Sequence, residues 1–451
     1  MTHTARSRWK LRSLAIVAIL ALLAAACGGG EDLDEGAGTD TGGDTDSPAQ
    51  DLSGETVEVA ATWTGAEQER FQMVLDAFAE QTGAQVRFLS AGDDIAAYVG
   101  PRIEGGDPPD VAIFPQPGVV DSFAAEGSLI PIDDLVGDVV DADVPGGRDA
   151  GDFEGELYGL WWKAAQKSTV WYNVGVFEGA GVQPPESWDD LLVAGDTISD
   201  YGVAPYSIGA DVGWPLSDLF ENVYLRVAGP EKYDQLAAHE IPWTDQSVKD
   251  ALSTMAELFD DPDQLAGGQQ GALQTDFNGS VTQAFTDPPK GAMVFEGDFV
   301  GGIITGETDA ELGADADFFD FPSIDGSEPA VVSGGDLAVL LDDSEGGQAL
   351  IRFLATPEAA EIWAAEGGFI SPNTQVSLEA YGDDVSRRAA EALQNAADAA
   401  RYDLSDLQPT EFGATTGQGI WGILIDFLED PSDVDGTAQA LETAAKRAYG
   451  E

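Results

Sequence analysis

Aromatic side chains, carboxylates and an amide stand together at three points in the first third of the chain where a predicted strand ends. The pairs are Trp63 with Glu67, Asp93 with Asp94, and Phe114 with Gln116. A sugar presents apolar C–H faces and hydroxyl edges, so a site for it needs aromatic surfaces beside hydrogen-bond acceptors and amides. These residue types indicate a carbohydrate site. The alternative, which spacing alone slightly favours, is that Trp63 and Phe114 are ordinary core aromatics.

The elements that must position these residues are strands and helices in alternation. The predicted strands are 56–61, 86–89 and 110–114. Between the first two lies a predicted helix, with apolar residues at helical spacing from Phe71 to Phe78 and Gly83 at its end. Such an alternation predicts a mainly parallel α/β sheet, in which ligands bind at the carboxyl ends of the strands.

The cysteine and histidine content limits which catalytic and metal sites the chain could form. Cys27 is the only cysteine, so a disulfide framework is impossible and a thiolate nucleophile or metal site is close to excluded. His3 belongs to the leader described below, which leaves His239 as the only mature histidine and no material for a histidine triad or a zinc site. Thiolate, histidine-triad and zinc sites are therefore not expected, whereas Asp and Glu are too abundant for composition to exclude a carboxylate-based enzyme.

One segment near the C-terminus approaches a calcium-binding pattern. An EF-hand loop placed at 431–442 would have Asp433, Asp435, Gly436 and Glu442 at loop positions. Its first ligand position is Pro431, which has no side-chain oxygen. The pattern favours a helix start at Asp435 or Thr437 over calcium binding.

The N-terminus has the form of a secretory signal. Four basic residues precede a continuous apolar run at 14–26, which is too short to span a membrane. The stretch from Leu23 to Cys27 resembles a bacterial lipobox, with Ala24 where leucine is usual. We expect a signal peptide at 1–26, lipidation of Cys27 in preference to plain secretion, and a disordered acidic tether at 27–51. The expected location is the outer face of the cell membrane.

The negative charge of the chain limits the classes of partner that it can bind. The chain has 20 basic and 82 acidic residues and a formal net charge of −62, and removal of the basic signal brings the charge to about −66. Such a field repels nucleic acid and anionic membrane surfaces, so neither is an expected partner. A solvated acidic coat suits an extracellular protein, and dedicated cation sites are the alternative.

The segment 170–192, VWYNVGVFEGAGVQPPESWDDLL, carries the strongest motif. Ser187 and Asp190 are spaced to satisfy free amides at a helix start as a capping box. The segment resembles YYN-x3-F-x-x-AG…PP-x-[ST]-W-[DE]-[DE]-L of family 1 extracellular solute-binding proteins, the ligand-capturing subunits of ABC importers. GGDPPDV at 105–111 and ATPEAAEIWAAEGGFISPN at 355–373 are similar to other family segments. Residues 202–244, with GWP, LRVAGPEKYD and HEIPW, resemble the alpha-glucoside-binding branch.

The resemblance implies an α/β fold, the type II-like two-lobe periplasmic-binding-protein fold with an interlobe hinge. The N-terminal lobe would comprise 52–163 plus 333–356, and the C-terminal lobe 164–332 plus 357–451.

The resemblance also implies which residues bind the ligand. They are Trp63, Thr64, Gly65, Glu67, Asp93, Asp94, Phe114, Gln116, Trp161, Trp162, Lys163, Asp211, Trp214, Glu296, Asp298, Phe299, Gly335, Asp336, Phe369 and Trp421. Of Trp161 and Trp162, one is expected to contact the ligand and the other to pack. Gly335 and Asp336 lie at a crossing that could equally be a mere hinge. Alanine at Trp63 or Trp421 is expected to weaken binding without unfolding the protein.

The function implied is capture of an alpha-glucoside of the trehalose, maltose or sucrose class by hinge closure, with no catalytic residue, no cofactor and no metal. The sugar would then pass to ABC permease subunits in the membrane, and the protein is expected to be a monomer. The alternatives are a binding protein for another oligosaccharide or polyol, a glycosidase that uses two carboxylates, and an adhesion or sensor lipoprotein.

Overall fold

The structure is a computed structural model, and it describes residues 50–396 and 399–451. The predicted signal, Cys27 and its lipidation, and all but the last two residues of the predicted tether lie outside the described residues. The described strands are β1 (Thr56–Ala61), β2 (Gln85–Ser90), β3 (Val111–Phe114), β4 (Asp152–Phe153), β5 (Glu156–Leu157), β6 (Gly159–Gln166), β7 (Thr169–Asn173), β8 (Ala204–Tyr206), β9 (Gly291–Phe295), β10 (Ala316–Asp320), β11 (Val331–Leu340) and β12 (Ala400–Tyr402).

Helices connect and cover these strands. They are α1 (Gly65–Thr82), α2 (Ile95–Glu104), α3 (Pro117–Ala125), α4 (Asp133–Asp143), α5 (Gly147–Gly151), α6 (Val174–Ala180), α7 (Trp188–Tyr201), α8 (Trp214–Ala228), α9 (Pro230–Ala237), α10 (Gln246–Ala256), α11 (Gly268–Ala272), α12 (Phe277–Phe285), α13 (Val300–Glu307), α14 (Glu345–Leu354), α15 (Pro357–Ala364), α16 (Asp384–Ala396), α17 (Thr410–Gly413), α18 (Gly419–Glu429) and α19 (Val434–Ala448). None of the helices in the described ranges is both long enough and apolar enough to cross a membrane.

The first sheet contains the three strands predicted from the start of the chain. Its order is β12–β11–β3–β1–β2, with β6 paired to β11. β1 pairs in parallel with β2 and with β3, so the parallel α/β arrangement of these strands is confirmed. β11 returns much later in the chain and runs antiparallel to both β3 and β6.

The second sheet has the order β10–β7–β9–β8. β7 runs antiparallel to β9 and β10, whereas β8 pairs in parallel with β9. The chain passes between the two sheets after β6, after β10 and after β12. These three passages are the connections about which two lobes could move.

Local signals in the sequence predicted several helix ends. α1 ends at Gly83, which has a φ of 76°, a conformation that favours glycine. Ser187 Oγ accepts the N–H of Asp190 at 3.2 Å at the start of α7. Only this half of the capping box forms, because the Asp190 carboxylate instead accepts the Ser187 hydroxyl at 2.7 Å.

The terminal helix starts differently from the prediction. Asp433, rather than Asp435 or Thr437, caps α19 by accepting the N–H of Gly436 at 3.1 Å. In residues 50–396 and 399–451, no group of three or more His, Cys, Asp or Glu residues has the geometry to hold a metal ion.

The described residues form three hydrophobic clusters, of which two are large and the third, smaller one lies around Phe114 and Leu337. One large cluster joins the two sheets. It contains Phe71 of α1 and Trp363 of α15 from the side of the first sheet, and Ile303 of α13, which follows β9 of the second. The other lies around Tyr206, Phe220 and Leu424. The sequence division assigned α15 to the second lobe, but this helix packs against α1 beside the first sheet. The lobe boundaries stay a prediction.

Candidate functional site

The side chain of Lys163 lies among four other predicted site residues. Its Nζ is 2.9 Å from Glu67 Oε1 and 3.7 Å from Asp336 Oδ2. The same atom is 5.6 Å from the ring centroid of Trp63 and 5.4 Å from that of Phe299, within cation–π range. Phe299 follows β9 of the second sheet, whereas the other four residues belong to the first-sheet side. These five residues therefore meet where the two sheets adjoin.

Burial controls the ionisation of the carboxylates near Lys163. Burial raises the pKa of Asp336 to about 6, although the charge of Lys163 opposes the shift. Asp298 Oδ1 accepts the N–H of Gln166 at 2.8 Å, and burial raises the pKa of Asp298 to about 7. Because both values lie close to neutrality, the charge of this region depends on pH.

Trp214 and Asp93 make a direct hydrogen bond between the two sides. Trp214 begins α8, which follows β8 of the second sheet, and Asp93 follows β2 of the first. The indole Nε1 donates to Asp93 Oδ1 at 3.2 Å, and the ring packs edge-on against Phe277 with centroids 4.8 Å apart. Asp93 and the nearby Asp211 keep access to solvent, although partial desolvation raises the pKa of both. This group combines an aromatic surface with accessible acceptors.

The adjacent tryptophans of β6 differ in burial, at a point where the pairing of β6 with β11 is irregular. Trp162 is buried, with its ring centroid 5.0 Å from that of Phe369. Trp161 is half-buried, with its ring centroid 6.0 Å from that of Tyr402. Trp161 Nε1 has no hydrogen-bond partner among the described residues. Trp162 is thus the packing member of the pair, and Trp161 is the member that keeps access to solvent.

Gly335 allows β11 to approach Trp161. Its φ is 150°, and a Cβ at this position would collide with the carbonyl oxygen of Lys163 and with Trp161 Nε1. The hydroxyl of Tyr402 donates to the Gly335 carbonyl at 3.0 Å. Sequence reasoning missed Tyr402, because its only signal was an aromatic residue in a segment too short to be recognised as a strand.

Besides Trp162 and Phe299, which are also buried, four predicted site aromatics are packed inside the protein. Trp63 is 4% exposed, Phe369 1%, Trp421 2% and Phe114 0%. The ring centroid of Trp63 lies 4.8 Å from that of Trp363, edge to face. For Trp63 and Phe114 this packing matches the core alternative in the sequence analysis. Part of the cover of Trp63 comes from Trp162 and Trp363, which are far away in the chain, so no local pattern could reveal it.

Four further predicted residues lie at helix starts. Asp94 Oδ1 accepts the N–H of Ala97 at 2.9 Å and so caps α2. Thr64 and Gln116 occupy the N-cap positions of α1 and α3 without a side-chain capping bond, and Gln116 is buried. Gly65, the first residue of α1, has a φ of 53°. Asp94 and Gly65 therefore have structural roles that do not require a ligand.

The family of the chain follows from a comparison with known families. A family model described as "Bacterial extracellular solute-binding protein" matches residues 62–361 of the chain. The chain is a bacterial extracellular solute-binding protein. By that description the protein acts outside the cytoplasm.

Two relatives resemble this solute-binding protein over most of its length. The osmoprotective compounds-binding protein GgtB of Synechocystis sp. is 32% identical over 395 residues, which cover 86% of this chain and 91% of the relative. The alpha-glucosides-binding periplasmic protein AglE of Rhizobium meliloti is 32% identical over 403 residues, which cover 86% of each chain. Both relatives are binding proteins rather than enzymes by name.

Solved structures confirm the predicted two-lobe periplasmic-binding-protein fold. The bacterial solute receptor AcbH aligns with a TM-score of 0.76 at 18% identity, over 88% of this chain and 99% of that one. At this identity the likeness concerns the fold of the solute-binding protein and not its ligand.

The first connection between the sheets of this solute-binding protein is held by Lys167, which follows β6. Its Nζ lies 2.5 Å from Asp403 Oδ2, 3.1 Å from Asp218 Oδ2 and 3.5 Å from Asp406 Oδ2. Lys167 and these three buried aspartates are called the Lys167 cluster below. Burial raises the pKa of Asp218 to about 7. Burial acts on Asp403 as well, but the charge and hydrogen bond of Lys167 keep the pKa of Asp403 below its ordinary value.

Glu296 lies beside this cluster rather than in an open cleft. It is buried, and neither of its carboxylate oxygens has a hydrogen-bond donor in the described part of the chain. Burial, together with the charge of Asp218, raises the pKa of Glu296 well above its ordinary value. Glu296 also lines a cavity of about 10 Å³ with Ser207 and Ser280. Sequence reasoning named Glu296 as a ligand contact, but it missed the Lys167 cluster because the four members are distant in the chain.

Proposed function

We propose that this protein captures an alpha-glucoside of the trehalose, maltose or sucrose class and delivers it to the permease of an ABC importer. The observation that carries the proposal is the Trp214–Asp93 hydrogen bond, which sets an aromatic ring of one side against an acceptor of the other. Trp161 and Asp211 add a second accessible ring and a second carboxylate. The relative AglE, an alpha-glucosides-binding protein by name, supports the choice of ligand.

The proposed mechanism is closure of two lobes on the sugar. A ligand that contacts Trp214 on one side and Asp93 on the other gains contacts in the closed state that the open state lacks. Differential affinity of this kind shifts the population toward the closed form. No bond in the sugar is made or broken, so the proposed role is binding and not catalysis.

A second ligand class is supported by GgtB, whose name refers to osmoprotective compounds and which is as similar to this chain as AglE. A polyol would use the same acceptors, Asp93 and Asp211, but would offer no ring for Trp214 or Trp161 to stack on. We therefore rank an alpha-glucoside first and an osmoprotective polyol second.

Calorimetric titration of the purified protein tests the proposal. Trehalose, maltose, sucrose, palatinose and glucose form one arm, and sorbitol and glycine betaine form the other. Saturable binding to an alpha-glucoside, with no glucose released from a disaccharide, is the expected result. Binding confined to sorbitol or glycine betaine would contradict the alpha-glucoside proposal and indicate osmoprotectant uptake instead. Release of glucose would indicate a glycosidase.

The placement at the membrane is also proposed. Lipidation of Cys27 would hold the monomeric protein beside its permease on the outer face of the cell membrane. Cys27→Ser is expected to release the protein from the membrane fraction into the medium. Retention of that variant in the membrane would contradict the anchor and leave the binding proposal standing.

A further inference from the structure

Helices α1 and α13 form a close contact between the two sides. α1 connects β1 and β2 of the first sheet, whereas α13 follows β9 and leads to β10 of the second. The contact is therefore made by elements that belong to different sheets. Any motion that separates the two sheets therefore also separates α1 from α13.

Arg70 of α1 reaches across this contact to α13. Its Nη1 donates to the carbonyl of Gly302 at 2.6 Å, and its Nη2 donates to Thr305 Oγ1 at 2.8 Å. Arg70 is only 8% exposed, so its guanidinium has exchanged most of its water for these acceptors. A buried cation of this kind is costly to leave without acceptors.

Glu307 at the end of α13 makes the reverse connection to α1. Its Oε1 accepts the N–H of Ala66, in the first turn of α1, at 3.4 Å. Thr64, the residue in the N-cap position, makes no side-chain capping bond of its own. The carboxylate thus takes the place of a cap and lies at the positive end of the α1 dipole. Asn278 Nδ2 donates to the same Oε1 at 3.1 Å and orients it.

Small residues allow the two helices to come so close. A Cβ at Gly302 would lie 2.7 Å from Arg70 Nη1 and 3.1 Å from Gly368 Cα. A Cβ at Gly306, one turn later, would collide with Ala66 Cβ, which cannot rotate away. Gly302 and Gly306 are four residues apart and so line one face of α13.

We infer that Arg70 and Glu307 form a two-way clasp that stabilises the closed protein and sets ligand affinity without touching the ligand. The inference rests on the proposed function, because it requires closure on a ligand. Arg70 is a positioning residue in this account. Its bonds to α13 exist only when the sheets are together, so losing them favours the open form and faster release of the ligand.

The test compares four variants of the mature protein with the wild type. Arg70→Met removes both donors, Arg70→Lys keeps the charge but not the fork that reaches two acceptors, and Gly306→Ala separates the helices. Gly100→Ala in α2 is the matched control, since a Cβ there meets nothing within 4 Å. Calorimetry and stopped-flow dissociation are run with trehalose, maltose and sucrose, and thermal unfolding is measured without ligand.

For each sugar that the wild type binds, Arg70→Met and Gly306→Ala are expected to weaken affinity by about tenfold or more, mainly through faster dissociation. Arg70→Lys is expected to be intermediate, and Gly100→Ala to match the wild type. A lower melting temperature of the ligand-free Arg70→Met protein with unchanged affinity would overturn the clasp, because the contact would then be a permanent part of the core.

Failure of the proposed function gives a different result. If the wild-type protein binds none of the three sugars, the substrate class fails, and the radius of gyration of the ligand-free proteins in solution scattering then decides the clasp. Larger radii for Arg70→Met and Gly306→Ala than for the wild type and Gly100→Ala would support it. Equal radii for all four proteins would overturn it.

Discussion

Lys167 Nζ lies 2.5 Å from Asp403 Oδ2, although 236 residues of chain separate the two. The ion pair joins the connection after β6 to the segment after β12, and Asp218 adds α8 to the same ammonium. The chain passes between the sheets three times, and Lys167 lies in the first of these passages and pairs with Asp403 in the third. Removing Lys167 should therefore lower the stability of the whole protein.

Lys167→Met is expected to lower the free energy of unfolding by about 3–5 kcal/mol, because it leaves buried carboxylates without their cation. Lys249→Met is the control, since Lys249 pairs at 2.6 Å with the exposed Asp435, and such surface pairs contribute about 1 kcal/mol or less. Urea unfolding of both variants measures the difference. Equal losses would show that the Lys167 cluster has no special role in stability.

Stability is expected to fall as the pH rises from about 4 to about 7. The pKa of Asp298 is raised by burial from its ordinary 3.8 to about 7, so over that interval the native state holds a proton that the unfolded chain has released. Raising the pH therefore favours unfolding, and the loss is complete above the native pKa. Asp298 alone accounts for at most about 4 kcal/mol.

Asp298→Asn isolates this effect, because the amide oxygen can still accept the N–H of Gln166 while the titration is lost. The slope of unfolding free energy against pH between 4 and 7 should be shallower than in the wild type. Asp245→Asn is the contrast, since hydrogen bonds from Ser247 lower the pKa of Asp245 to about 2 and its titration affects stability only below about pH 4. If the unfolding free energies of the wild type and of Asp298→Asn change in parallel with pH, the pH dependence does not come from Asp298.

Trp214→Ala is expected to weaken sugar binding by about tenfold or more, since it removes an accessible ring and the donor to Asp93. Its effect on stability should be small, because the side chain is only half-buried. Val193→Ala, at a site 64% exposed, is the control for both readouts. Calorimetry gives the affinity, and an unchanged value would remove Trp214 from the site.

Trp421→Ala, unlike Trp214→Ala, is expected to lower stability rather than affect binding directly. Its ring lies in the second hydrophobic cluster, so truncation leaves a cavity and costs about 3–5 kcal/mol of stability. The sequence alone predicted weakened binding in a folded protein. A Trp421→Ala protein with wild-type stability and weakened binding would restore that prediction.

Gly335→Ala is expected to destabilise the protein by about 1–3 kcal/mol, because the added methyl would meet the Lys163 carbonyl at a φ that alanine rarely adopts. It should also displace Trp161 and change its fluorescence. Gly175→Ala is the matched control, since its nearest neighbour would lie 3.5 Å away. Identical unfolding midpoints for the two variants would mean that β11 accommodates the added methyl group without loss of stability.

The sequence predicted features that depend on neighbouring residues. The three parallel strands, the end of α1 at Gly83 and the cap at Ser187 follow from local periodicity and local hydrogen bonds. The burial of Trp63 does not, because its cover, Trp363, lies 300 residues later in the chain. The same holds for Lys167, whose partners at 218, 403 and 406 look like ordinary members of an acidic coat. Family motifs predicted a site region that stays a prediction, and only packing separates Trp161 from Trp162.

The central position of β11 in the first sheet affects how the protein is made. β3 is complete by residue 114, yet the strand that covers its free edge spans Val331–Leu340. Until that strand emerges, the edge can pair with strands of other chains, and contacts of such long sequence separation form slowly. Because β12 also belongs to this sheet, a chain with this topology can complete its first sheet only after residue 402 has been synthesised. Export across a membrane as an unfolded chain is therefore compatible with its folding order.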